Sequence, residues 1–136
     1  HLHLRPGDTL VAELGGLLGE CRSERDLSIV DRLTAFIRLR FRDRGLKVQD
    51  IAAEVHFSPA YVSYLFKKVM NVNVWEYVTA VRIEEAKRLL ATTELKRYEI
   101  AYQVGYESPE HFSRMFKRIV GVGPAEYRAS GQAVPE

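Results

Sequence analysis

Apolar residues recur at helical spacing through most of the chain. Ile29, Leu33, Phe36, Ile37 and Phe41 keep an i, i+3/i+4 rhythm. They predict a helix that opens at Ser28, which stands three positions before Asp31 as in a capping box, and that ends by Gly45. Ile51, Ala52 and Val55 mark a short second helix over residues 48–55. Ser58 is a good N-cap, and Pro59 suits the first helical position, where a missing N–H costs nothing. The helix they open runs to Met70, and Asn71 offers a left-handed stop. Asn73 and Glu76 start the next helix, with Tyr77, Val78, Val81, Ala86, Leu89 and Leu90 along it; it covers roughly 18 residues, or about 27 Å. Another short helix follows over 96–104, then a turn at Gly105, Tyr106 and Glu107. Ser108 and Pro109 repeat the cap and open a helix that reaches Val120 and stops at Gly121. Gly123 and Pro124 begin a last short helix that frays after Ser130. No strand is convincing, so the expected class is all-α.

Two stretches of this pattern are copies of one another. IAAEVHFSPAYVSYLFKKVMNVNVWEY, from Ile51, lies over IAYQVGYESPEHFSRMFKRIVGVGPAEY, from Ile100, with Glu107 inserted. Identities include Ile51/Ile100, Ala52/Ala101, Val55/Val104, Ser58/Ser108, Pro59/Pro109, Ser63/Ser113, Phe66/Phe116, Lys67/Lys117 and Tyr77/Tyr127. Each copy reads as short helix, tight turn, longer helix, which is the helix-turn-helix pattern used mainly to place a helix in the major groove of DNA.

The longer helix of each copy divides into two faces at 100° per residue. Val62, Leu65, Phe66 and Val69 share one face in the first copy, and Phe112, Met115, Phe116 and Ile119 share it in the second; both sets are expected in the core. Ala60, Ser63, Tyr64 and Lys67 point the other way, with Tyr61 and Lys68 on the flank. Glu110, Ser113, Arg114 and Lys117 are their counterparts, flanked by His111 and Arg118. In a helix-turn-helix the outward residues of the first turns reach base edges. Base-facing candidates are therefore Ala60, Ser63, Tyr64, Glu110, His111, Ser113 and Arg114. Arg114 can pair bidentately with guanine, Glu110 can accept from cytosine N4, and Ala60 and the Tyr64 ring can pack on thymine methyls. Lys67, Lys68, Lys117 and Arg118 come later and suit phosphates, which position without specifying.

Composition narrows the picture little. Of 136 residues 46% are apolar, enough for a core, and the net charge is only +2, modest for a nucleic-acid binder. The basic residues are clustered rather than numerous: Arg32, Arg38, Arg40, Arg42 and Arg44 crowd one early helix, and each repeat helix ends on cations. The single cysteine, Cys21, excludes an internal disulfide and a thiolate zinc site, and fits a reducing cytoplasm. No apolar run is long enough for a membrane span. His56 has no partner at ligand spacing, so no metal or cofactor is expected. There is no glycine-rich phosphate loop, nucleophile elbow or acid/base pair, so no catalytic residue is expected and the chain does not read as an enzyme. Beginning at His1, it reads as a fragment, with residues 1–27 as a linker or docking segment. Leu10, Val11, Leu14, Leu17 and Leu18 there suggest a short amphipathic helix cut by glycines.

The string IAYQVGYESPEHFSRMFKRIVGVGPAEYR, ending at Arg128, resembles the DNA-binding domain of the AraC/XylS family of bacterial transcription regulators. Arg82, Ala86, Leu89 and Leu90 fit that family's central helix, and SPAYVSYLFKK, from Ser58, is most similar to its response-regulator branch. The resemblance covers about residues 28–130, leaving 131–136 as a tail. It implies seven helices, with two helix-turn-helix units joined by a long, rigid central helix and two recognition helices in adjacent major-groove segments on one DNA face. It also implies sequence-specific binding of double-stranded DNA, an activator's role with RNA polymerase as partner, an upstream receiver or sensor domain, and a cytoplasmic location. One departure is Arg97, which stands where the family usually has an aliphatic residue facing the core, so Arg97→Ile is expected to raise stability. Another is Asn71 in place of the common glycine. The competing reading, favoured by the modest charge, is a helical protein-interaction module that kept the fold and lost DNA affinity.

Overall fold

The computed structural model describes residues 23–133. They form seven helices: α1 Glu24–Arg40, α2 Val48–Val55, α3 Pro59–Met70, α4 Val74–Thr92, α5 Arg97–Gln103, α6 Pro109–Val120 and α7 Pro124–Ala133. There is no strand among the described residues. The amphipathic segment around Leu10 to Leu18, Cys21 and the end of the tail lie outside them.

The described chain divides into two compact units. The first holds residues 23–39 and 46–77; the second holds 40–45 and 78–133. Helix α4 gives its first turn to the first unit and the rest to the second.

In the first unit Ile29, Val30, Leu33 and Ile37 line the inner face of α1 and are buried, as are Ile51, Ala52 and Val55 of α2 and Val62, Leu65, Phe66 and Val69 of α3. Tyr77 meets the Phe66 ring edge-on at 5.5 Å and accepts a 3.1 Å hydrogen bond from Arg38 Nε. Helix α1 begins at Glu24, one turn before the expected start at Ser28. Ser23 Oγ accepts from the Asp26 N–H at 3.0 Å, and Glu24 and Asp26 place negative charge at the positive end of the helix dipole. Long-range contacts reinforce that choice: Lys68 pairs with Asp26 at 3.5 Å, and the Arg25 guanidinium lies 5.5 Å from the Phe57 ring centre. Ser28 is an exposed residue inside the helix, and its spacing to Asp31 is incidental.

The same helix ends at Arg40, short of Gly45. The cause lies in the second unit, where Arg82 is 5% exposed. Its Nε donates to the Phe41 carbonyl at 2.9 Å and its Nη2 to the Asp43 carbonyl at 3.1 Å. A buried guanidinium that takes two main-chain carbonyls organises residues 40–45 as a turn, and Asp43 closes it by accepting from the Gly45 N–H at 2.8 Å and from Arg40 at 2.9 Å. Burial draws the Arg82 guanidinium below the usual arginine value, an effect opposed by Tyr106 and Asp43 nearby. The hydrophobic core of this unit is formed by Ile83, Ala86, Leu89 and Leu90 of α4, Ile100 and Ala101 of α5, Val104, Tyr106, and Phe112 and Phe116 of α6, and the Arg82 guanidinium lies 5.6 Å from the Tyr106 ring centre. Arg128 of α7 closes the C-terminal end of α4, donating to the Leu90 and Thr93 carbonyls at 3.0 and 3.1 Å. Helix α7 continues to Ala133, past the expected fraying at Ser130.

One core expectation fails in this unit. Ile119 is 49% exposed, although its counterpart Val69 is 3% exposed. By angle Ile119 belongs to the inner stripe, but the aromatic core ends with Phe116, and Val120 packs against it instead.

Candidate nucleic-acid interface

Helices α3 and α6 are built alike. Ser58 Oγ accepts from the Tyr61 N–H at 3.2 Å, and Ser108 Oγ from the His111 N–H at 3.0 Å. Proline occupies the first turn of each. Asn71 stops α3 at φ 64°, and Gly121 stops α6 at φ 102°. With both ends fixed and an inner stripe of buried residues, the opposite face of each helix is held toward solvent.

In the first unit Ala60, Ser63, Tyr64 and Lys67 are all exposed, as the helical angle requires. Tyr64 is 61% exposed and leans on Tyr61, whose ring packs 5.0 Å from Phe57. Lys67 Nζ lies 3.4 Å from the Asn71 carbonyl and otherwise faces water. Lys68 is half-buried, paired with Asp26 and 5.9 Å from the Tyr64 ring centre, so its charge is already engaged.

In the second unit Glu110, His111, Arg114, Lys117 and Arg118 are exposed, and Ser113 is half-buried. Glu110 accepts from Ser108 Oγ at 3.2 Å, which ties its carboxylate to the N-terminus of α6. The His111 ring meets Tyr106 edge-on at 5.4 Å, repeating the Tyr61–Phe57 contact of the first unit. Arg114 makes no ion pair or hydrogen bond among the described residues, leaving its donor fork unspent.

The residue that sequence reasoning misplaced is Arg97. It is exposed, not set in the core, and its Nη1 donates to the Pro109 carbonyl at 3.1 Å and to Ser113 Oγ at 2.9 Å. The expectation that Arg97→Ile raises stability loses its basis, because no charge is desolvated there. The family's usual aliphatic residue at this position was a misleading guide, although Val48, which aligns with Arg97 in the first copy, does follow it. A guanidinium has the length to leave the first helix of the unit and reach the second, which an aliphatic side chain lacks.

Residues 32–130 match the family model described as a helix-turn-helix domain, a span that contains both copies. The chain belongs to the AraC/XylS family of transcription regulators. As an AraC/XylS-family domain it is a DNA-binding, transcription-regulating module and not an enzyme. It is 42% identical over 81 residues to an uncharacterized helix-turn-helix-type transcriptional regulator, YisR, of Bacillus subtilis, covering 60% of this chain and 28% of that protein. Among solved structures it is similar to the C-terminal domain of AraT, a response regulator from Geobacillus stearothermophilus, with a TM-score of 0.73 and 35% identity over 75% of this chain and 84% of that one. It is also similar to the DNA-binding domain of AdpA, a global transcriptional factor solved in complex with a target DNA, with a TM-score of 0.73 and 25% identity over 76% of this chain and 93% of that one. The AraC/XylS-family chain spans about a third or less of the length of the first curated relatives it matches. No helix among the described residues is long and apolar enough to cross a membrane.

Proposed function

We propose that the outer faces of α3 and α6 enter two successive major-groove segments, and that the domain is the output module of a bacterial activator. The observation that carries this reading is the matched pair of capped helices, each presenting a serine and a lysine at equivalent positions, Ser63 with Lys67 and Ser113 with Lys117. Arg114 is the strongest base reader, through guanine O6 and N7, with Ala60, Ser63, Tyr64, Glu110, His111 and Ser113 lining the rest of the two faces. Lys67, Lys117 and Arg118 are the phosphate contacts, and Lys68 joins them only by giving up Asp26. The likeness to a response regulator's C-terminal domain supports an upstream receiver or sensor domain; RNA polymerase as the target of activation and work in the cytoplasm belong to the same proposal.

Binding through phosphates releases counterions. Log affinity for duplex should therefore fall with log salt, with a slope of about −4 to −6 for some five to seven phosphate contacts. A slope near zero in equilibrium titrations would favour the protein-interaction module instead. The two-groove arrangement has its own test. Inserting about five base pairs between the two half-elements turns one of them to the opposite face of the duplex. Affinity should drop toward that of a single half-element; unchanged affinity would mean flexibly tethered units.

A further inference from the structure

The repeat places a serine at the same point of both recognition helices, yet the two serines have different surroundings. Ser63 makes no hydrogen bond among the described residues, and the position aligned with Arg97 in its unit is Val48. Ser113 accepts from Arg97 Nη1 at 2.9 Å, and the same nitrogen donates to the Pro109 carbonyl at 3.1 Å. We infer that Arg97 is a specificity-determining positioning residue, which fixes Ser113 as a hydrogen-bond donor toward the DNA. The inference rests on the DNA-binding role of α6 proposed above.

Three physical steps lead to it. A serine hydroxyl inside a helix ordinarily has an alternative to any ligand, because it can donate back to the carbonyl four residues earlier. Thr92 and Thr93 do so here, donating to the Arg88 and Leu89 carbonyls at 2.7 Å each. For Ser113 that carbonyl belongs to Pro109, which already meets the Arg97 guanidinium, and Ser113 makes no such back-bond. The arginine has no proton acceptor, so it can only donate to the serine oxygen, and the hydroxyl proton is left for a group outside the helix. Finally, a cation against the oxygen polarises the O–H bond and repels an incoming amino group. Ser113 is thereby biased toward acceptors in the major groove, namely guanine O6 or N7, adenine N7 or thymine O4, and against cytosine, whose only polar group there is an amino donor. The Ser63 hydroxyl accepts no hydrogen bond from an arginine or lysine among the described residues, so it is not committed to donating.

The test uses the full chain in four forms: unchanged, Arg97→Val, Ser113→Ala and the double variant. Arg97→Val borrows the residue of the first copy and removes a contact made at the surface, so the fold should persist, which far-UV circular dichroism checks. Relative affinities are measured for duplexes carrying each base pair at every position of the half-element read by α6. Ser113→Ala should flatten the preference at one position by about three- to tenfold, the range of a single hydrogen bond. Arg97→Val should flatten the same position to a similar degree, and the double variant should add nothing. Arg97→Lys, which keeps one cationic donor, should restore part of the preference. The salt slope should be unchanged by Arg97→Val. A slope reduced by about one with all base preferences intact would make Arg97 a phosphate contact and overturn the proposal, as would a Ser113→Ala chain with unaltered preferences. Absence of salt-dependent duplex binding by the unchanged chain would overturn the DNA-binding reading itself, a separate result.

Discussion

Gly105→Ala is expected to cost about 3 kcal/mol or more of folding stability, from backbone strain, a steric clash and a weakened buried hydrogen bond together. Gly105 has φ +105°, and a Cβ built there would lie 2.4 Å from the Phe41 carbonyl oxygen and 2.7 Å from Arg82 Nε. Those two atoms are themselves hydrogen-bonded at 2.9 Å, so the methyl group would wedge the bond that holds residues 40–45. Gly121→Ala is the internal control. Gly121 has nearly the same backbone angle, φ +102°, but nothing lies within 4 Å of its Cβ position. Its substitution should cost only the left-handed strain, about 1 kcal/mol. Denaturant titration of both variants separates the two contributions. Equal losses would mean that Gly105 is needed for its angle alone and that the Phe41–Arg82 pair does not press on it. His56, which aligns with Gly105 in the first copy, meets the same turn at φ 63° and an exposed position, within the left-handed region that a side chain can adopt.

Features decided within a few residues were legible in the sequence. The Ser58 and Ser108 caps, the left-handed stops at Asn71 and Gly121, and the Asn73–Glu76 reciprocal cap, with both bonds at 2.8 Å, all stand where the local chemistry puts them. The inner stripe of α3 follows from helical angle alone. Features decided by distant residues were not legible. Ser23 and Ser28 are equally good caps in isolation, and only the contacts of Arg25 and Asp26 with Phe57 and Lys68 favour the first. The turn over 40–45 depends on Arg82, far along the chain, and the exposure of Ile119 depends on where an aromatic core happens to end.

The same division runs through the candidate interface. Angle placed Ala60, Ser63, Tyr64, Lys67, Arg114, Lys117 and Arg118 outward, and they are exposed. What angle cannot give is whether an outward side chain is already occupied. Lys68 is held by Asp26, Glu110 by Ser108, and Ser113 by Arg97, a residue whose position the family resemblance placed toward the core. An arginine in an apolar register is ambiguous in sequence because its stem and head obey different rules.

Arg114 tests how the reading of bases is shared between the two helices. Its aligned partner in α3 is Tyr64, which offers one hydroxyl and a ring but no bidentate fork. Arg114 is exposed and without an ion pair or hydrogen bond among the described residues, so no protein contact competes for its five donors. Arg114→Ala should therefore weaken cognate duplex by roughly 1–3 kcal/mol, about five- to 150-fold, and relax the preference for one guanine. Tyr64→Ala should cost less, since ring contact with a thymine methyl is weaker than a bidentate charged pair. Lys117→Ala makes the contrast. It should weaken cognate and noncognate duplex about equally and lower the salt slope by about one, because a phosphate carries no sequence. Binding measured on cognate, guanine-substituted and scrambled duplexes at two salt concentrations distinguishes these patterns. If Arg114→Ala behaves as Lys117→Ala is expected to, Arg114 lies on the phosphates, and another residue of α6 reads the bases.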